Sequence, residues 1–197
     1  MRKNIKSKLL FVLLSVILLT SCKVNTNNES KTTENVETEQ KTVYQDSYLV
    51  KVGDIAPDFK IITTDSTEYM LSDLKGKVVM LQFTASWCKV CREEMPHIES
   101  KIWQKHKDNS DFILLGVDRE ETPEQIKEFT KKVGTTYPIA LDSNGDIFSL
   151  YAERKSGITR NVIINKDGEI VMLTRLYKEP EFNEMCELID SLLETDN

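Results

Sequence analysis

Residues 77–96 read KVVMLQFTASWCKVCREEMP, and the rest of the chain is read outward from them. Positions 78–83 are a short apolar run rich in β-branched residues, bounded by Gly76 in front and by Thr84 and Ser86 behind, the pattern of a buried strand. Trp87, Cys88, Lys89, Val90 and Cys91 follow, and then a charged, amphipathic segment that opens like a helix. Two cysteines with two residues between them at a strand-to-helix junction can close a disulfide, and opening it leaves a thiol at a helix N-terminus.

Disulfide exchange runs through the thiolate, and a free cysteine of pKa about 8.5 is only about 3% ionised at neutral pH. Reaching a pKa of about 7 takes about 2 kcal/mol, whereas a helix N-terminus supplies about 0.3–1 kcal/mol. The remainder is expected from the Cys91 thiol donating to the Cys88 sulfur, with a smaller, screened contribution from Lys89. Cys88 is expected to be the exposed attacker. Cys91, one turn deeper, is expected to be the resolving thiol that releases the substrate. The bland alternative is a permanent structural bridge, but a pair constrained at a helix mouth should reduce more easily than one. A metal site fits poorly, because zinc wants four ligands and the two histidines of the chain offer no second pair. No metal is expected.

GDIAPDF at 53–59, LSDLKGKVVMLQF at 71–83 and ASWCKVC at 85–91 together resemble the thioredoxin-fold redoxins, in particular the membrane-anchored thiol-disulfide oxidoreductases of the TlpA and ResA type. The resemblance covers about residues 52–195. It implies an α/β, thioredoxin-like fold in which a central mixed sheet is flanked by helices and preceded by an N-terminal β extension. It also implies no cofactor beyond a redox-active Cys88–Cys91 disulfide. The implied partners are protein thiols and disulfides and an upstream membrane reductant, with the protein itself a monomer.

Outside the central stretch, residues 50–71 fit the β extension, with Pro57 and Phe59 leading into a strand over 60–63, a turn at Asp65-Ser66 and a return through Tyr69. Met95, Ile98 and Ile102 repeat at helical spacing, on a helix expected to bend at Pro96. FILLGV at 112–117 reads as a second buried strand, central and parallel. Thr122 then caps a helix with Pro123 at its first position and Ile126, Phe129 and Val133 as its apolar stripe. Strand and helix alternate, so right-handed α/β crossovers are expected. Residues 137–142 read as a loop with a short extended piece, and 147–151 as a short helix. Lys166-Asp167-Gly168 makes a hairpin, and Phe182, Met185, Ile189 and Leu192 mark a closing helix.

Upstream, residues 1–21 carry Arg2, Lys3, Lys6 and Lys8 with no acid, then a largely apolar run over 9–19, the shape of a secretory signal and too short for a spanning helix. Leu19-Thr20-Ser21-Cys22 resembles a bacterial lipobox, which implies that Cys22 is diacylated and becomes the mature N-terminus; an uncleaved anchor and ordinary secretion are the alternatives. Residues 22–47, rich in Asn, Thr, Glu and Lys, are expected to be a disordered tether of roughly 25–30 Å reach, leaving 48–197 as the folded domain. The formal charge of −6 becomes −10 once the four basic residues of the leader are removed, 22 Lys and Arg against 32 Asp and Glu. An acidic surface argues against nucleic acid or an anionic bilayer as the binding partner. The expected location is the cell envelope, lipid-anchored and facing periplasm or exterior.

Several side chains stand near the cysteines in the resemblance. Trp87 is expected to cover the disulfide and form part of the binding surface. Glu94, three residues after Cys91, either raises the thiol pKa or shuttles its proton, or is a solvated helix acid. The buried carboxylate of the thioredoxin pattern falls on Gln82, a neutral amide that cannot take a proton, which leaves Glu94 or water. The family's cis-proline falls on Thr159, where the peptide is expected to be trans because a non-proline cis bond costs about 2.5–4 kcal/mol. Thr159 and the following Arg160 are candidates for contact with substrate; Arg160 either stabilises the Cys88 thiolate or is merely exposed. His97 reads as solvated surface charge, and Cys186 as an inert buried thiol.

Three functions compete. The first is a membrane-tethered oxidoreductase that exchanges disulfides with proteins. The second is a peroxiredoxin-like peroxidase, whose pattern wants a Thr where Ala85 stands. The third is a binding lipoprotein with a purely structural bridge.

Overall fold

The computed structural model describes residues 47–195. The expected leader, the lipidation site Cys22 and all but the last residue of the expected tether lie outside the described residues.

Two short strands, β1 (Lys60–Ile62) and β2 (Glu68–Met70), pair antiparallel as the N-terminal extension. They do not join the main sheet beyond a single bridge between Thr63 and Ala140. The main sheet begins with β3 (Val78–Thr84), every residue of which is buried. The other strands are β4 (Phe112–Arg119), β5 (Ile139–Asp142), β6 (Arg160–Ile164) and β7 (Ile170–Arg175), in the spatial order β5-β4-β3-β6-β7. β3, β4 and β5 are parallel; β6 runs antiparallel to β3 and to β7. Parallel strands covered on both faces read as continuous apolar runs, which is why β3 and β4 are legible and the four-residue β5 is not. The short extended piece expected within the loop over 137–142 is that strand.

The helices that pack on this sheet include α1 (Lys89–Ile98), α2 (Pro123–Val133), α3 (Phe148–Tyr151) and α4 (Glu179–Glu194). From β3 to β4 to β5 the connections step in one direction across the sheet, so right-handed crossovers put α1 and α2 on the same face. Trp103, beyond α1, donates its indole N–H to Thr136, just after α2, over 2.9 Å. α4 closes that face: Phe182 meets His97 at 6.1 Å between ring centroids, and Asp190 accepts from Lys105 at 2.6 Å. His97 is therefore not the solvated residue expected. It is half-buried and stacked on Tyr177 at 5.0 Å.

Pro96 sits inside α1, and a π-helical turn over Glu99–Trp103 follows the helix. α2 starts with a reciprocal capping box, Thr122 Oγ accepting from the Gln125 N–H while the Gln125 side chain accepts from the Thr122 N–H. On the other face of the sheet Phe83, Phe148 and Tyr151 pack edge to face or tilted at 5.4–5.5 Å. A cavity of about 160 Å³ lined by Ile55, Leu71, Leu74, Val79 and Ile164 lies at the start of β3, the end away from the cysteines.

Candidate active site

β3 ends at Thr84, and four residues later the chain enters α1. A tight turn makes the transition, the Cys88 N–H donating to the Ala85 carbonyl over 3.1 Å. Cys88 is the N-cap of α1 in an extended conformation, and its sulfur accepts from the backbone N–H of Cys91 at 3.2 Å. That position meets the positive end of the helix and one of its unsatisfied donors together, and both favour the thiolate when the pair is reduced. The two sulfurs form a disulfide with the Cα atoms 5.3 Å apart. Cys88 keeps 7% of its surface and Cys91 none, so Cys88 is buried rather than the exposed attacker expected, and of the two cysteines it alone keeps any surface.

Thr159, just before β6, places its hydroxyl 3.1 Å from the Cys88 sulfur and 3.3 Å from the Cys91 sulfur. There are no cis peptides among the described residues, so the bond before Thr159 is trans. The Thr159 carbonyl accepts from the Arg175 guanidinium at 3.0 Å and from the Leu176 N–H at 3.2 Å, which fixes the loop that carries the hydroxyl. Trp87 is 57% exposed beside the disulfide.

Arg160 is not brought to the sulfurs. In the β3–β6 register Arg160 lies opposite Phe83, on the face away from α1, where its side chain is fully buried. Its guanidinium donates to Ser47 at 2.7 Å and Ser156 at 2.9 Å and lies 4.2 Å over the Tyr48 ring. Strand alternation decides this: Thr159 precedes the pairing, and the next side chain necessarily turns away. Both expectations for Arg160, a thiolate partner and an exposed residue, are corrected.

The next residue turns back. Asn161 lies opposite Gln82 on the α1 face, and its amide donates to Glu94 Oε1 at 2.6 Å. Glu94 is therefore not a solvated helix acid: it is 1% exposed, with Oε2 lacking a partner among the described residues. Burial lifts its carboxyl to about 7, reinforced by the negative charge of Glu181 and opposed by the Asn161 amide. Gln82 accepts from the Tyr137 hydroxyl at 3.0 Å. Gly116, paired with Gln82 in register, leaves the space for this contact, since a Cβ there would collide with Ile139 and crowd Tyr137. The place of the family's buried carboxylate is thus taken by an amide-phenol pair, with an acid on the helix above.

Three residues that sequence reading did not single out come from the end of β4. Arg119 lies 5.6 Å from the Trp87 ring centroid and 4.6 Å from that of Phe148. Glu121 accepts from the Ser86 N–H at 2.6 Å and, by a short hydrogen bond, from the Ser86 hydroxyl. Asp118 is buried, with no partner for either oxygen among the described residues, and burial first, then Glu121 and Asp142, push its carboxyl up to about 9. A signal was available: DREE at 118–121 follows an apolar strand, and polar residues at the carboxyl ends of parallel strands face the crevice where α/β sheets do chemistry.

The redoxin family profile matches residues 51–189 of the chain. A thiol-disulfide oxidoreductase ResA from Bacillus thuringiensis (strain Al Hakam) is 32% identical over 134 residues, covering 66% of this chain and 75% of its own. The ResA of Oceanobacillus iheyensis is 31% identical over 129 residues, 64% of this chain and 65% of its own. Among solved structures, a candidate protein disulfide isomerase from Bacteroides thetaiotaomicron is 56% identical, covers 76% of this chain and 94% of its own, and superposes with a TM-score of 0.74. A candidate thiol:disulfide interchange protein DsbE from Chlorobium tepidum shares the thioredoxin-like fold at 23% identity, with a TM-score of 0.61 over 73% of this chain and 99% of its own. With the profile spanning most of the chain and a pair of bonded cysteines at the mouth of α1, the chain belongs to the redoxin family, among its thiol-disulfide oxidoreductases.

Proposed function

We propose that this redoxin is a lipid-anchored enzyme of the cell envelope that reduces disulfides in other proteins. Residues 1–21 act as the leader, Cys22 carries the acyl chains, and 22–47 tether the catalytic domain beside the membrane. An upstream membrane reductant returns the Cys88–Cys91 pair to its thiols after each turnover. The observation that carries the reading is the Cys88 sulfur at the N-cap of α1, accepting the Cys91 N–H with the Thr159 hydroxyl 3.1 Å away.

In the reduced enzyme the Cys88 thiolate attacks one sulfur of a partner disulfide. A bond forms between Cys88 and that sulfur, and the other leaves as a thiolate, which takes up a proton from water. The Cys91 thiol then gives its proton to Glu94, whose pKa of about 7 suits an acceptor at neutral pH, and attacks the Cys88 sulfur. The intramolecular disulfide closes, the second partner thiolate departs, and two electrons have passed from the enzyme to the partner. Trp87 and the Thr159 loop supply the docking surface.

Reduced protein is expected to cut the interchain disulfides of insulin, and Cys91→Ser to accumulate mixed disulfides through Cys88. Absence of both behaviours overturns the reading. A peroxidase would want a hydroxyl three residues before the attacking sulfur, and the fully buried Ala85 holds that place.

A further inference from the structure

The segment between β3 and α1 is held from the side by the end of β4. Ser86 has all its polar groups engaged: its N–H and hydroxyl donate to the two oxygens of Glu121, and its carbonyl accepts from Arg92 at 2.8 Å. The next residue, Trp87, rests over Arg119, two positions before Glu121. Nothing in the local sequence requires a loop of this kind to be bound by a carboxylate 35 positions away. The chain also strains to deliver it: Glu120 is left-handed, with φ of 66°, a conformation that a non-glycine side chain rarely adopts. The Glu120 N–H is anchored on the Asp142 carbonyl at 3.0 Å, so the turn that aims Glu121 at Ser86 is fixed from β5 as well.

We propose that Glu121 is a positioning residue for disulfide exchange, and that Asp118 and Glu121 act as one carboxyl pair which fixes how Trp87 and Cys88 are presented to a protein partner. Asp118 lies opposite Thr84, the last residue of β3 before the loop, in the β3–β4 register, with both oxygens buried and no partner for either among the described residues. Asp118 keeps a proton, because burial first, and then the negative charges of Glu121 and Asp142, disfavour its ionised form. The neighbouring base, Arg119, is turned to Trp87 and Phe148. Glu121 meets both Ser86 donors with its two oxygens. Loss of the clamp loosens the exposed Trp87 and its approach angle. It leaves intact the N-cap bond and the Thr159 hydroxyl, which set the sulfur's reactivity.

The inference rests on exchange through Cys88, so the wild-type protein is run alongside: its failure to reduce insulin overturns the functional reading, whereas a difference among variants addresses Glu121. The test compares Glu121→Ala, Glu121→Gln and Ser86→Ala, as full reduced chains, in reducing insulin and a small aromatic disulfide. Glu121→Ala is expected to raise KM for insulin about tenfold, the worth of a charged hydrogen bond, with the small-disulfide rate changed less than about twofold. Glu121→Gln, which still accepts from the Ser86 N–H, is expected to restore KM to within about threefold of wild type. Ser86→Ala decides the matter if Glu121→Ala fails to fold, and is expected to raise KM about threefold. In wild type the ratio of insulin to small-disulfide rates falls as pH rises through about 9, and Asp118→Asn flattens it. Equal effects on both substrates, no rescue by Gln, or a lowered melting temperature with unchanged KM would each overturn the proposal.

Discussion

The Asn161 amide donates to Glu94 Oε1 over 2.6 Å, while the second oxygen of the same carboxyl faces no donor among the described residues. One half of the acid is satisfied and the other is left over, in a place closed to solvent. This favours the protonated form, and its stability consequence has a definite sign.

Glu94 binds its proton more tightly folded than unfolded, moving from 4.5 to about 7. Its contribution to stability is therefore fully present below pH 4.5 and is lost as pH rises through about 7. Relative to Glu94→Gln, the wild type should lose about 3 kcal/mol across that window, the free-energy equivalent of the shift. Urea denaturation of both proteins over pH 4–8 measures it; parallel stability curves would refute it.

Thr159→Val keeps the shape of the side chain and removes the hydroxyl shared by the two sulfurs. The thiol pKa of Cys88 should rise by about one unit, because a thiolate loses a hydrogen bond. Ultraviolet thiolate absorbance followed against pH reads the midpoint directly.

Phe83 is fully buried and contacts Phe148 and Tyr151 on the face away from α1. Phe83→Ala should destabilise the domain by about 3–5 kcal/mol through lost burial and the cavity left behind. Denaturant midpoints at constant slope would measure it.

Cys22→Ala should abolish incorporation of labelled palmitate and move the protein from the membrane to the soluble fraction of expressing cells. Retained membrane association would show that something other than acyl chains holds it.

The parts of this molecule legible in the sequence are local. The β3 run, the Cys-x-x-Cys at a helix start, the Thr122 cap and the Lys166–Gly168 turn are each written within a few neighbouring residues. What stayed hidden joins residues far apart in the chain. Asn161 and Glu94 are separated by 67 positions, and Glu121 and Ser86 by 35, so no periodicity reveals them. Arg160 shows the opposite failure. Its neighbour Thr159 does meet the sulfurs, but the alternation of a strand sends the following side chain through to the far face, and register, which no short window contains, decides it. β5 was legible only as a short extended piece in a loop, because a four-residue strand after Tyr137-Pro138 carries too little pattern to show that it joins the sheet.

The Ser47–Arg160 bond bears on how this domain can be cut free for study. The guanidinium beside Thr159 is sealed in the interior, and one of its few acceptors is a hydroxyl at the very first described position. A shortened version beginning at Tyr48 would take away one of the two serine hydroxyls to which this buried cation donates, next to the loop that touches both sulfurs, whereas one that retains Ser47 would not. Any truncation meant to report native redox behaviour should therefore be made upstream of that serine.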